Sequence, residues 1–445
     1  MSMQKNIEQF PASQAGIVVV GGGVAGLEIA SALGRLRRKQ RSSAKLPPIT
    51  LIDSDSAHVW KPMLHTIAAG TRDIGEQQTT YIAQARDAGF AYQPGELCGL
   101  DRERREVLLA PLLAPDGRLL VPARRLSYDA LVIAVGSTAN DFGTPGVQQY
   151  CLMIDSRVQA DAFNREVRIR MLQCLAQKSE LSIAIVGGGA TGVELAAELV
   201  QLTEDSVAYG ATGLAGRISI TLIESGPRLL AAFPPHVSAA TLERLEELGV
   251  KVMTGTRVTE ARSDGFELDG IGHFPASLMV WSAGVKAPDF LKEIAGLEST
   301  RGNQLVIKPS LQTSRDEAIY AVGDCSSLLL DGLERPLPPT AQVAHQQAQH
   351  LIRHLPAALA AGTIIPAFTY RDFGSLVSLG GYDAFGSLGK FGFFKGGFIR
   401  GRVAQFGHTM LYRSHQTRLH GFWRGGLIWL VDRINARLRP SIRLD

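Results

Sequence analysis

The chain has 445 residues, 45% hydrophobic and 20% charged, enough for two or three domains with large cores and unlike a disordered, collagen-like or disulfide-stapled polypeptide. Its net charge of +4 conceals an asymmetry: of 46 Lys and Arg and 42 acids, 11 basic residues and two acids fall between Lys390 and Asp445, so this tail carries +9 and the remainder −5. Cys98, Cys151, Cys174 and Cys325 are widely scattered, which points to a reducing compartment and away from a redox disulfide between neighbouring cysteines.

In chain order, residues 1–15 are polar and lack the apolar stretch of a signal peptide, and no later run of 18 apolar residues predicts a membrane-spanning helix. A strand is predicted over residues 16–20, running into Gly21-Gly22-Gly23-Val24-Ala25-Gly26 and then a helix. Such a turn lets the backbone approach a pyrophosphate, and the helix N-terminus meets it with unpaired N–H groups and a positive dipole end. The next strand, residues 49–53, ends in Asp53, placed to bond ribose hydroxyls. The spacing from Gly26 to Asp53 exceeds the roughly 20 residues of the simple motif, so an insertion is expected, and residues 37–48 have loop composition. A β-rich insertion follows near residues 92–120, and Pro145-Gly146 marks the exit from this unit.

The pattern then repeats. A strand over residues 182–186 enters Gly187-Gly188-Gly189-Ala190-Thr191-Gly192, and a strand beginning at Ile218 ends in Glu224, with residues 209–217 as the insertion. Glu224 in place of a basic residue favours NADH over NADPH, although Arg228 is nearby. The second unit ends in Leu278-Met279-Val280-Trp281-Ser282-Ala283-Gly284. Two fingerprints in one chain imply two dinucleotides and suggest electron transfer between them. Further on, Pro338 and Pro339 precede a helix that Thr340 is expected to cap. His350 and His354 have metal-pair spacing without a third ligand and read as helix surface; Cys325 reads as packing.

From about residue 367 the chain is glycine-rich and aromatic. A basic, aromatic tail suits an anionic membrane surface or nucleic acid. Trp423, Leu427, Leu430, Val431, Ile434 and Leu438 recur at steps of three and four, while Arg424, Asp432, Arg433 and Arg437 keep largely to other angles. This amphipathic helix favours membrane over nucleic acid, each nearby Lys or Arg adding about 1 kcal/mol against anionic lipid. Packing of the same face on the protein's body or on a partner subunit remains open, and Gly425-Gly426 weakens the helix at its start.

The runs Tyr128-Asp129-Ala130-Leu131-Val132-Ile133-Ala134-Val135-Gly136-Ser137 and Ala318-Ile319-Tyr320-Ala321-Val322-Gly323-Asp324 resemble the second and third signatures of flavoprotein reductases. That resemblance assigns Asp324 to the flavin ribityl chain, hence FAD to the first unit and NADH to the second. With His58-Val59-Trp60-Lys61-Pro62-Met63-Leu64-His65 and Pro338-Pro339-Thr340-Ala341-Gln342-Val343-Ala344-His345-Gln346-Gln347 added, nearly the whole chain resembles the type II NADH dehydrogenases, the single-subunit NADH:quinone oxidoreductases of bacterial membranes.

The resemblance implies an α/β fold with two Rossmann-like domains, FAD over residues 14–150 and 301–360, NADH over 151–300, and a membrane-associating region over 361–445. It implies NADH oxidation with two-electron quinone reduction, no proton pumping and no metal, at the cytoplasmic face of the inner membrane; a homodimer is compatible with it. FAD would be held by Gly21, Gly23, Gly26, Asp53, Lys61, Gly136, Asp324, Ala341 and Gln342, and NADH by Gly187, Gly189, Gly192, Glu194, Glu224 and Gly284. Gln342, His345 and Gln346 would line the quinone pocket, with Glu194, Gln342 and His345 as catalytic residues. Glu194 has a plainer alternative, stabilising the helix dipole by roughly 0.3 to 1 kcal/mol, and Glu198 is a weaker candidate beside it. The rival is a sulfide:quinone oxidoreductase of the same fold, which Cys151 and Cys325 leave open but which does not need an intact NADH fingerprint with Glu224. A nucleotide sensor that never turns over is the alternative from another class.

Overall fold

The computed structural model describes residues 15–40, 46–72, 75, 78–114, 116–388, 390, 391, 394, 395 and 398–438. The polar N-terminal segment read as lacking a leader, and Phe393, Arg439, Arg443 and Asp445 of the basic tail, lie outside the described residues. The chain divides into two compact units, the first from residues 1–59, 78–138 and 286–370, the second from 60–77, 139–285 and 371–445.

The first unit is built on a six-stranded sheet in the order Gln312–Thr313, Asp316–Ala321, Ala130–Ile133, Ile17–Val20, Ile49–Asp53, Ala91–Pro94. Every neighbouring pair is parallel except the one at the Gln312–Thr313 edge. Parallel strands covered on both faces require unbroken apolar runs, and Ile17, Val18, Val19 and Val20 are all buried. From Ile17–Val20 the order proceeds to Ile49–Asp53 on one side and Ala130–Ile133 on the other, and this reversal leaves a ligand crevice at the carboxyl ends of the strands.

The second unit repeats the plan with four parallel strands, Lys251–Met253, Ile218–Ile223, Leu181–Val186 and Leu278–Trp281. Each unit also carries a three-stranded antiparallel sheet, Arg124–Ser127 with Glu106–Leu109 and Leu97–Asp101 in the first, Val258–Arg262 with Gly265–Leu268 and Gly272–Pro275 in the second.

Both spacings exceed the simple motif chiefly because the fingerprint helices are long, Val24–Lys39 with 16 residues and Ala190–Ala208 with 19. The expected loop at 37–48 therefore begins too early: Arg37, Arg38 and Lys39 complete the helix, where their charge complements the negative end of its dipole.

The second unit also holds the three-stranded sheet Gly374–Leu379, Asp383–Leu388 and Phe398–Arg400, and the helices Arg402–His420 and Phe422–Leu438. Trp60 packs 5.4 Å from the Tyr412 ring and stacks 6.2 Å from His415. Gly425 does not break its helix. It is buried, and a Cβ there would lie 3.2 Å from Thr417 Cα and Oγ1, so glycine permits the two helices their close approach. Arg413 Nη1 donates to Asp432 Oδ2 at 2.6 Å and ties the same two helices. Trp423, Leu427, Leu430, Val431 and Ile434 all remain exposed, Trp423 by 83%, so these side chains are not packed on the described body of the chain. Among the described residues no helix is long and apolar enough to cross a membrane.

Candidate active site

Strand register sets the two nucleotide cradles. Val20 pairs with Ile52 and Val186 with Ile223, so the first fingerprint glycine stands beside the strand-terminal acid in each unit. Gly21 N–H donates to Ile52 O and Gly187 N–H to Ile223 O, both at 2.8 Å. The acid then takes the next amide: Gly22 N–H donates to Asp53 Oδ2 at 2.5 Å, and Gly188 N–H to Glu224 Oε2 at 2.6 Å. Gly21 and Gly187 turn with φ of +99° and +116°, a region that favours glycine. A Cβ on Gly26 would stand 1.8 Å from Gly21 O, and on Gly192 2.0 Å from Gly187 O. Gly23 and Gly189 cap the two helices, and a Cβ on Gly189 would meet nothing within 4 Å, while one on Gly23 would meet only Ala134 O at 4.0 Å. Backbone open to close approach, set at a helix N-terminus, fits a pyrophosphate at both places.

The other expected site residues of the first unit lie on three segments, around Gly136, around Asp324 and at the start of the Ala341–Ala361 helix. Ser137 Oγ donates to Asp324 Oδ2 at 2.7 Å, between turns in which Gly136 and Gly323 have φ of +70° and +74°. Gly323 N–H donates to Gln347 Oε1 at 2.6 Å, pinning the Ala341–Ala361 helix to the Asp324 turn. Thr340 caps that helix by accepting Val343 N–H at 3.2 Å. Ala341 opens it, Gln342 donates to Tyr370 Oη at 2.5 Å, and His345 Nδ1 lies 2.6 Å from Glu28 Oε2. Gln346 is half-buried on the same helix. Burial pushes the Asp53 carboxyl up, against the hydrogen bonds it accepts from Gly22 and Asp55.

In the second unit Glu194 is buried on the Ala190–Ala208 helix. Ser378 N–H donates to its Oε1 at 3.0 Å, and His65 Nδ1 stands 3.3 Å from its Oε2. Burial, with the Glu198 charge adding to it, pushes the Glu194 carboxyl up to about 8. Glu198 is also buried and raised, and accepts a 2.5 Å hydrogen bond from Thr71. Lys61, grouped by sequence with the FAD residues, lies in this unit with Nζ 3.8 Å from Asp155. Gly284 has φ of +64°. Arg228 is tied to Phe233 O at 2.8 Å and Ser238 Oγ at 2.6 Å, so its guanidinium is already engaged.

Two partners escaped the sequence. Glu28 is given no role there and His65 stands only within a motif, because nothing local announces a contact made over such separations. Burial pushes the Cys151 and Cys325 thiols up, to about 12 and about 11. His350 is hydrogen-bonded to Pro366 O at 2.9 Å and packs edge-on against Phe368, so it serves the helix's own packing.

Fold and cradles together define an oxidoreductase with two dinucleotide sites. The pyridine nucleotide-disulphide oxidoreductase family matches residues 15–348. A type II NADH:quinone oxidoreductase of Haemophilus influenzae is 40% identical over 448 residues, covering 96% of this chain and 99% of that protein. The chain belongs to the type II NADH:quinone oxidoreductases. A structure of NDH2 from Plasmodium falciparum in complex with NADH shares the fold at TM-score 0.78 and 19% identity, over 97% of this chain and 100% of that one. The sulfide:quinone oxidoreductase of Aquifex aeolicus shares it at TM-score 0.70 and 16% identity, over 96% of each.

Proposed function

We propose that this protein oxidises NADH bound in the second unit and reduces a membrane quinone by two electrons, without pumping protons, through an FAD held in the first. A bound FAD supplies the redox chemistry, taking the hydride and passing the electron pair on. Gly21, Gly23 and Gly26 would receive its pyrophosphate and Asp53 its ribose, with Gly136 and Asp324 as further contacts. Ala341 and Gln342, at the positive end of a long helix, would favour negative charge on a bound flavin. Gly187, Gly189, Gly192, Glu224 and Gly284 hold NADH, Glu194 orients the nicotinamide, and Gln342, His345 and Gln346 meet the quinone. The observation that carries this reading is the duplicated cradle, with both strand-end acids clamping the amide inside their fingerprint.

The exposed face of the Phe422–Leu438 helix lies on the lipid surface at the cytoplasmic side, where the quinone is reached. The test is NADH oxidation by the purified, flavin-loaded protein with a short-chain ubiquinone analogue, beside NADPH and sulfide as donors. Rapid turnover with NADH is expected; turnover with sulfide alone would overturn the reading. For the tail, Leu427→Asp together with Ile434→Asp should abolish co-sedimentation with anionic lipid vesicles, and unchanged binding would remove the tail from the membrane contact.

A further inference from the structure

The repeats share a feature outside their glycines. Two residues after the last glycine of each fingerprint stands a glutamate, Glu28 after Gly26 and Glu194 after Gly192, and both are buried. Each meets a histidine Nδ1, His345 at 2.6 Å from Glu28 and His65 at 3.3 Å from Glu194. A carboxyl on the covered face of a helix is costly unless polar partners hold it. For Glu28 those partners include His345 and Gln349, whose Nε2 donates to the same oxygen at 3.3 Å. The Glu28 side chain is 2% exposed, whereas the His345 side chain keeps 21% of its surface open.

We propose that Glu28 is a positioning residue for His345, fixing its ring so that Nε2 is presented to a carbonyl oxygen of the quinone. This rests on the assignment of His345 to the quinone. An ionised carboxylate only accepts, so the hydrogen between the two groups sits on Nδ1 and the ring orientation is set. When the ring carries a second proton on Nε2, that N–H donates to the carbonyl oxygen. As the quinone takes the electron pair that NADH supplies, the Nε2–H bond breaks and an O–H bond forms. NADH accounts for both electrons and one hydrogen of the quinol, and His345 for the other. The ring is left neutral with its hydrogen on Nδ1, and water returns the proton to Nε2. Glu28 stays off the substrate throughout, as the buried acid does behind a catalytic histidine.

The test compares Glu28→Leu and Glu28→Gln in the full-length, flavin-loaded protein. Ring ¹⁵N chemical shifts of His345, assigned by their loss in His345→Gln, report the tautomer without any turnover. NADH turnover is measured with a short-chain quinone and with ferricyanide, which takes single electrons and no proton. Glu28→Leu should shift His345 to a mixture of tautomers and lower the ratio of quinone to ferricyanide turnover about ten-fold. Glu28→Gln, whose amide oxygen still accepts from Nδ1–H, should restore the tautomer and bring the ratio within about three-fold of the unsubstituted protein. An unchanged tautomer in Glu28→Leu, an equal loss with both acceptors, or no recovery in Glu28→Gln would each overturn the proposal. Failure of the underlying assignment would look different, since His345→Gln would then leave the ratio of quinone to ferricyanide turnover unchanged while Glu28→Leu still shifted the tautomer.

Discussion

In the first nucleotide unit the fingerprint helix buries Glu28 against a histidine from the Ala341–Ala361 helix; in the second it buries Glu194 against His65, with Ser378 and Glu198 close by. The backbone template is one and the same, down to the amide that each strand-end acid accepts. What differs comes from outside the repeat. The second unit draws in residues 60–77 and 371–445, of which His65 and Ser378 meet Glu194, while burial and the neighbouring Glu198 push its carboxyl up to about 8. The duplicated sheet and helix supply two cradles, and the segments packed onto them decide what each carboxyl does.

The two units should part most clearly at the last glycine of each fingerprint. Gly26→Ala and Gly192→Ala each drive a Cβ into backbone oxygen, so each should close its own cradle. Gly26→Ala should yield colourless protein with turnover down by roughly a hundred-fold or more, whereas Gly192→Ala should stay yellow and lose NADH binding. Flavin-to-protein ratios decide it, and loss of flavin from both would undo the assignment of nucleotides to units. Next in size, Glu194→Gln should cut NADH turnover about ten-fold; the unsubstituted protein's rate profile is expected to inflect near pH 8, and that inflection should be absent from the variant. Stopped-flow reduction by NADH across the pH range is the measurement.

The same carboxyl tilts stability. Its folded-state value is raised from 4.5 to about 8, so between those values the folded protein keeps a proton that the unfolded chain has released. This contribution is fully present below about pH 4.5, declines as pH rises and is gone above about pH 8. Melting curves of Glu194→Gln should therefore fall less steeply with pH across that window than those of the unsubstituted protein. The smallest effect belongs to the first unit: Thr340→Ala removes the cap on Val343 N–H and should cost about 1 kcal/mol, visible as a lower midpoint in urea.

Features with a local signature were legible in the sequence. The runs at Ile17–Val20 and Leu181–Val186, the glycine turns, the Thr340 cap and the exposed apolar stripe of the last helix each follow from spacing that a short window contains. The pairs Glu28 with His345 and Glu194 with His65 are separated by hundreds of residues or more than a hundred, and only tertiary packing brings them together. The helix end at Lys39 was missed because a basic last turn and a basic loop have the same composition. Gly425-Gly426 misled for a related reason, since the intrinsic cost of glycine in a helix is local while the benefit of close approach to Thr417 is not.

That close approach has a thermodynamic corollary. By holding the Phe422–Leu438 helix against Arg402–His420 through Gly425, the fold turns Trp423, Leu427 and their neighbours outward into water, where apolar surface gains nothing from burial. An amphiphile that covered this strip in the folded chain without solubilising the unfolded one would raise the melting temperature with the logarithm of its concentration, whereas one that prefers the unfolded chain would lower it. A detergent that bound there would be a ligand of this protein, and a melting temperature would then have meaning only together with the detergent concentration at which it was taken.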